Sequence, residues 1–335
     1  MTENTNSKFP SEAEVVIVGV GGIVGSMLAY WLSELGQKNI VGLEKSSVIP
    51  SDIASTAHAS DFVYNTTHDK LGCWTTAFSR KFYEDNGFFL KKGGLEICRK
   101  GDDARWEELK RKVGSGKAFG TNVSLISAAE AKEKFPLLDE ESLMGAMWDP
   151  DAGLVIPRSQ DVVSFAVEHA KDKGALKTFT DTPAIDFEIE NGRVTGVHTD
   201  KGFIKADRVV IASGIWGPLM GKKAGVPVPL MPLEHPLLFF GPLPEAQDAE
   251  DFLVYPLLRD QGNSAYVRDT GRLHGGMLEW GFYEDKEPRL VDPEDIGNPE
   301  KTMGSDSMRY LDLEEIAEPL EKAFETTPIL NELGW

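Results

Sequence analysis

The stretch EVVIVGVGGIVGSMLAYWLSELGQKNIVGLEKS, residues 14–46, decides how this chain folds. Val15 to Val18 is a charge-free, β-branched run, and glycines follow at 19, 21, 22 and 25. Ile23 to Leu35 then repeats apolar residues at helical spacing until Gly36 stops it, and Ile40 to Leu43 is a second apolar run closed by Glu44. The order is strand, glycine turn, helix, strand, the opening of a doubly wound α/β layer. Val15 to Leu32 carries no charge and is as long as a minimal membrane span. Its glycines cluster near the start and Glu14, Ser33 and Glu34 close its ends, which fits a buried strand and an amphipathic helix better.

Each part of such a unit has a chemical job. Glycines let backbone come close to a pyrophosphate, and the helix start offers unpaired N–H groups and a partial positive charge. Glu44, with Lys45 beside it, stands where a carboxylate accepts hydrogen bonds from ribose hydroxyls. The spacing is GxGGxxG, one residue longer than the usual fingerprint, so the sequence leaves open which of Gly19, Gly21, Gly22 and Gly25 face phosphates. A ligand-free tight turn would use the same glycines; the flanking strands, the helix and the acid together favour the nucleotide.

The chain has 335 residues, enough for two domains, with 41% hydrophobic and 27% charged side chains. Its formal net charge of -19 opposes broad contact with nucleic acid or an anionic membrane and leaves small molecules as the expected partners. The same acidity also reads simply as a solvated surface. Cys73 and Cys98 make neither a disulfide framework nor a metal-binding pattern, so no metal site and a reducing, cytoplasmic setting are expected. The opening MTENTNSKFPSEAE reads as a short polar tail without a signal peptide.

Beyond Phe62 the doubly wound pattern stops. Leu71, Trp74, Phe78 and Phe82 recur at helical spacing and predict a helix over 69–86 with an inward aromatic face. A strand at GGLEICR, a helix capped by Asp102 or Asp103 and a short helix at 128–135 follow. Ser159 reads as an N-cap for a helix at 161–171, and two or three strands occupy 191–212. From Val226 the pattern is a separate, largely antiparallel layer. Residues 284–305 read as a surface loop, and 313–330 as a helix ending at Thr326 or Thr327.

Five stretches occur in order: STAHAS (55–60), GGLEICR (93–99), FPLLDE (135–140), DPDAG (149–153) and ASGIWG (212–217). With the glycine-rich start, this series resembles the flavin-dependent amine oxidoreductases that oxidise dimethylglycine and sarcosine, in the D-amino-acid-oxidase-like superfamily. The resemblance implies an α/β, two-domain fold. A Rossmann-like FAD-binding domain at 11–62 with 149–225 would interleave with a largely antiparallel substrate domain at 63–148 with 226–328.

It also implies site residues. FAD would be covalently attached through its 8α carbon to His58, with Ser55 and Thr56 close to the flavin or its pyrophosphate. Ser213, Gly214 and Trp216 would line the flavin, and Ala184 would place its backbone near the adenine. His235 and Tyr266 fall on the family's substrate side, where a histidine takes the amine proton and a tyrosine hydroxyl holds the geometry. Arg259 and Arg268 lie near them as candidate partners for a substrate carboxylate. The implied reaction passes hydride from the carbon beside the amine nitrogen to flavin N5. The resulting imine hydrolyses to formaldehyde and the demethylated amine, and oxygen or an electron-transfer protein takes the electrons.

The chain departs from the family's pattern in three places. Ser60 and Asp61 follow His58–Ala59 where a small residue and a glycine are usual, bringing a carboxylate towards the expected flavin. Ala54 replaces a glycine. The closing strand and helix that complete the flavin site are expected to be missing after LNELGW, so a second chain could complete it. Two other readings remain at this level: a noncovalent FAD amino-acid oxidase or dehydrogenase, and a non-catalytic fragment or subunit that needs a partner.

Overall fold

The computed structural model describes residues 9–65, 69–283, 289–298, 300–301, 308 and 311–334. It divides into two compact units, one comprising residues up to Ala59, Arg158–Pro232 and Leu290–Tyr310, the other Ser60–Pro157, Leu233–Arg289 and Leu311–Trp335.

The first unit is built on a six-stranded sheet in the order Ala184–Glu190, Arg193–Thr199, Gly202–Ile211, Glu12–Val18, Ile40–Leu43, Leu176–Phe179. The last four strands run parallel, and the first two form antiparallel hairpins on the edge. Val15 to Val18 and Ile40 to Leu43 are buried on both faces, as parallel strands between covering layers must be. On one face Val15, Ile17 and Ile40 meet Ala29 of the helix Ile23–Glu34 and Val163, Val167 and Ala170 of the helix Ser159–Asp172. On the other, Val16, Val18 and Leu43 pack with Phe187, Val197 and Ile204. The α/β class read from residues 14–46 is therefore the observed one.

The second unit carries a seven-stranded sheet in the order Leu237–Phe240, Leu278–Phe282, Ala265–Asp269, Leu257–Asp260, Gly94–Arg99, Leu143–Asp149, Ser124–Ser127. Leu257–Asp260 and Gly94–Arg99 pair parallel, and the other neighbours pair antiparallel. Period-two alternation gives the sheet two unlike faces. Leu95, Leu238, Leu258, Val267 and Trp280 lie in one cross-strand row and pack on Phe135, Leu138, Ile316 and Ala323. The opposite face presents Glu96, Arg259, Tyr266, Arg268 and Glu279. Two buried ion pairs neutralise most of its charge, Arg268–Glu279 at 2.6 Å and Lys112–Glu96 at 2.5 Å.

Three expectations are corrected. The helix Lys70–Asp85 forms, but Leu71, Trp74 and Phe78 are 68%, 61% and 50% exposed, so its aromatic face does not point inward. Cys73 is its buried residue, and Arg80 donates to the Asp151 carbonyl, which turns the aromatic stripe outward, where Trp74 and Phe78 stack on each other. The helix expected at 161–171 begins at Ser159 with Arg158 as its N-cap, because the Asp161 carboxylate accepts from the Arg158 N–H and fixes the first turn one residue earlier. Near the C-terminus a 3-10 turn, Leu313–Ile316, precedes the helix Ala317–Thr326, since Asp312 caps at Glu314 and Pro319 suits only a first helical turn. The expected surface loop at 284–305 falls partly outside the described residues; Pro293–Asp295 within it is a 3-10 turn.

Asp260 gives a stability test. It is 1% exposed, and burial pushes its pKa from 3.8 up to about 6 against the opposing pull of the Arg99 charge and the Asn263 N–H. The folded state holds the extra proton between those values, so this group's cost is absent below about pH 4 and complete above the folded pKa. Asp260→Asn is expected to stabilise the chain by up to about 3 kcal/mol at pH 8 and by much less at pH 4. Denaturant melts at the two pH values check this, and equal effects at both would refute it.

Candidate functional site

A cavity of about 460 Å³ opens in the first unit at the carboxyl ends of Glu12–Val18 and Gly202–Ile211. The helix Ile23–Glu34 that follows the first of these strands and the helix Gly217–Lys223 that follows the second pack on opposite faces of the sheet, the arrangement at which doubly wound sheets bind ligands. Gly19, Gly22, Glu44, Lys45, Ser55, Thr56, Ala184, Ser213, Gly214 and Trp216 line it. Gly21, Gly25 and His58 do not.

The space around each glycine explains the irregular spacing. A Cβ on Gly25 would run into the Gly19 carbonyl oxygen, so this glycine lets the helix pack on the turn. A Cβ on Gly22 would have nothing closer than 3.8 Å, leaving its backbone open to the cavity. Gly22 and Gly25 thus occupy the second and third glycine positions of GxGxxG, and Val20 stands at the first. The tight turn is made one residue earlier by Gly19, whose φ of 94° suits glycine. Val20 is fully buried against the neighbouring strand, where a Cβ on Gly42 would come within 2.8 Å of its Cγ1.

Glu44 is 5% exposed and ties this turn together. Its Oε2 accepts from the Gly21 N–H at 2.9 Å, and its Oε1 accepts from the Ser46 N–H at 2.9 Å and the Ser51 hydroxyl at 3.1 Å. A carboxylate has about four acceptor positions, so one remains for a ligand hydroxyl. The helix Ile23–Glu34 starts without a side-chain cap at Gly22. Thr56, 33 residues further on, reaches back so that its Oγ1 accepts from the Ile23 N–H at 3.0 Å. Lys45 Nζ lies 4.7 Å from the centre of the Trp216 ring. Ser213 Oγ is buried in the cavity wall with no hydrogen-bond partner among the described residues.

His58 ends the 3-10 turn Ser55–His58. Arg158 Nη2 donates to the carbonyls on either side of it, Ala57 at 3.4 Å and Ala59 at 3.1 Å. Partial burial, and then the Arg158 charge, hold the imidazole below the ordinary histidine pKa, with Asp52 opposing.

In the second unit, the expected pair His235 and Tyr266 is joined by a residue the sequence reading missed. Tyr283 meets the His235 ring edge-on at 4.6 Å and the Tyr266 ring at 5.7 Å, and Phe62 lies 5.5 Å from Tyr266 on another side. Tyr266 stands opposite Gly281, where any side chain would overlap the phenol ring. Burial pushes the Tyr266 pKa up, keeping the phenol protonated. Of the two arginines, Arg268 is spent on Glu279, and Arg259 stacks at 4.1 Å on Tyr64. Asp61 is buried in this unit with φ 62°. Among the described residues no three His, Cys, Asp or Glu side chains are grouped to hold a metal ion.

The FAD dependent oxidoreductase family matches residues 14–334, and the chain belongs to it. Human mitochondrial dimethylglycine dehydrogenase is 28% identical over 98% of this chain and 37% of its own length, and human mitochondrial sarcosine dehydrogenase is 27% identical over 100% and 35%. The mouse mitochondrial pyruvate dehydrogenase phosphatase regulatory subunit is 29% identical over 84% of this chain and 31% of that protein. The chain thus spans about a third of the length of these relatives. Among solved structures, L-proline dehydrogenase from P. horikoshii superposes with a TM-score of 0.79 at 26% identity, covering 97% of this chain and 79% of that one.

An FAD suits the crevice on its own terms: open backbone at Gly22, a spare acceptor position on Glu44 and an unpartnered hydroxyl on Ser213. Two substitutions separate the glycine roles. Gly25→Ala is expected to lower stability by about 1–3 kcal/mol through overpacking. Gly22→Ala is expected to leave the melting temperature of the flavin-free chain unchanged and, before any covalent bond has formed, to weaken FAD retention by roughly tenfold, the scale of one lost charged hydrogen bond. Thermal melts and flavin absorbance after gel filtration check both, and identical behaviour of the two variants would remove the assignment.

Proposed function

We propose that this chain oxidises a small N-methylated amine or amino acid of the dimethylglycine or sarcosine type, with FAD bound covalently through His58. The observation that carries the reading is the convergence of Gly22, Glu44, Thr56 and Ser213 on one crevice in a chain of the FAD dependent oxidoreductase family. The substrate class is supported by the names of the dehydrogenases it is similar to.

Each residue then has a task. The Gly22 backbone and the start of the helix Ile23–Glu34 receive the pyrophosphate, Glu44 accepts from a ribose hydroxyl, and the Ala184 backbone meets the adenine. Ser213, Gly214 and Trp216 contact the flavin, with Lys45, Ser55 and Thr56 completing the wall. When bound, FAD would supply the two-electron acceptor for a hydride released by the carbon beside the substrate nitrogen. The substrate amine must be unprotonated to release that hydride, so His235 takes its proton while the protonated Tyr266 hydroxyl donates a hydrogen bond. Water then converts the imine to formaldehyde and the demethylated amine. Oxygen or an electron-transfer protein is the terminal acceptor, and a second chain is a further candidate partner. A cytoplasmic setting is supported by the buried Cys73 and Cys98, neither of which is in a disulfide among the described residues; no helix among the described residues is long and apolar enough to cross a membrane.

Similarity to a regulatory subunit keeps one second reading in play, that of a flavin-binding chain without turnover. Purified chain loaded with FAD and supplied with sarcosine or dimethylglycine is expected to form formaldehyde. His235→Ala and Tyr266→Phe are expected to lower kcat/KM by roughly 10²–10⁴-fold with flavin content unchanged. Full flavin loading with no bleaching by any N-methyl amine under anaerobic conditions would favour the regulatory reading instead. His58→Ala is expected to release its FAD on denaturation, while the unaltered chain keeps it.

A further inference from the structure

The turn Ser55–His58 is gripped from two sides. Thr56 accepts from the Ile23 N–H, and Arg158 spans the Ala57 and Ala59 carbonyls that flank His58. Arg158 is itself fixed: its N–H donates to the Asp161 carboxylate at 3.1 Å, and its carbonyl accepts from the Asp161 N–H at 3.0 Å. A planar guanidinium bridging the carbonyls on both sides of one residue sets that residue's backbone and the direction of its side chain, which a single contact does not.

We propose that Arg158 is the positioning residue for attachment of FAD, holding the peptide groups on either side of His58 so that the imidazole stands ready for the bond to the 8α carbon. This rests on the covalent reading above. The net reaction balances with dioxygen as oxidant. The imidazole gives up its N–H proton, the 8α carbon loses one hydrogen, an N–C bond forms, and two electrons with two protons leave as hydrogen peroxide. Only a neutral imidazole has a lone pair to form that bond. The charges facing the ring are Arg158, which favours the neutral form, and Asp52, which favours the protonated one. Removing Arg158 therefore raises the pH below which His58 is protonated and unreactive.

The test uses the full chain prepared without flavin and then supplied with FAD in air. Noncovalent retention is measured first by gel filtration, and covalent flavin is then followed by fluorescence of the denatured chain across a pH series. Arg158→Met is expected to retain FAD within about twofold but to form the covalent bond roughly tenfold more slowly, with the acid limb of its rate profile moved to higher pH. Arg158→Lys keeps the charge and loses the bridge, so its acid limb is expected to match the unaltered chain while its plateau rate falls. An Arg158→Met profile identical in rate and acid limb to the unaltered chain overturns the proposal. If Arg158→Met fails to fold, Arg158→Lys decides alone: an undiminished plateau overturns it. Complete release of FAD from the unaltered chain on denaturation sinks the covalent reading and this inference together, a result distinct from a variant that simply behaves like its parent.

Discussion

The carboxylate of Glu44 is the interaction on which the first unit turns. It gathers the N–H groups of Gly21 and Ser46 and the Ser51 hydroxyl, so the glycine turn, the end of the second strand and the start of the following loop share one buried acceptor. Burial of the carboxylate is tolerated there because two of its three donors are backbone N–H groups and the third is the hydroxyl of a short serine side chain. The loop it anchors leads on to Thr56, which returns to the first turn of the helix Ile23–Glu34. Strand end, helix start and the His58 turn are therefore parts of one hydrogen-bonded circuit, and the crevice inherits its shape from that circuit.

The second unit solves a different problem. Its sheet is apolar on one face, where Trp280 and Leu258 sit against Phe135 and Leu138, and charged on the other. Charge is placed there at little cost because partners stand on adjacent strands: Arg268 directly opposite Glu279, and Glu96 reached by Lys112 from the helix Asp103–Ala118. With these groups neutralised in pairs, the aromatic series His235, Tyr283, Tyr266 and Phe62 remains as the chemically distinct feature of the unit.

Much of this was legible because local chemistry forces it. The run from Val15 to Glu44 could hardly be another structure, since uncharged β-branched residues, clustered glycines and a 3.6-residue repeat agree on one fold. Motifs that flagged the family proved to include packing devices. Asp149 of DPDAG accepts from the N–H groups of Asn65 and Asp151, and Gly94 of GGLEICR leaves room for the Tyr64 ring. What stayed hidden depends on partners distant in sequence. No local signal marks Arg158 as the clamp on His58, 100 positions away, and Tyr283 is silent until Leu278–Phe282, the strand just before it, is set beside Ala265–Asp269. The outward aromatic stripe of the helix Lys70–Asp85 misled for the same reason: periodicity shows that a face is apolar, not that anything covers it.

The irregular fingerprint shows how far a motif bends without losing its geometry. Valine at the first glycine position adds a buried isopropyl group where the turn runs close to the next strand. The chain accommodates it by omitting a side chain at Gly42, directly under Val20, and by moving the left-handed residue back to Gly19. Hydrophobic burial of Val20 thus replaces the conformational freedom that a glycine would have supplied, and the strand neighbour gives up its own side chain in exchange. The two glycines that face the helix and the cavity, Gly25 and Gly22, keep their places. The constraint is therefore on space at the cavity wall and at the helix contact, and the spelling of the turn between them is free to vary so long as the adjacent strand makes room.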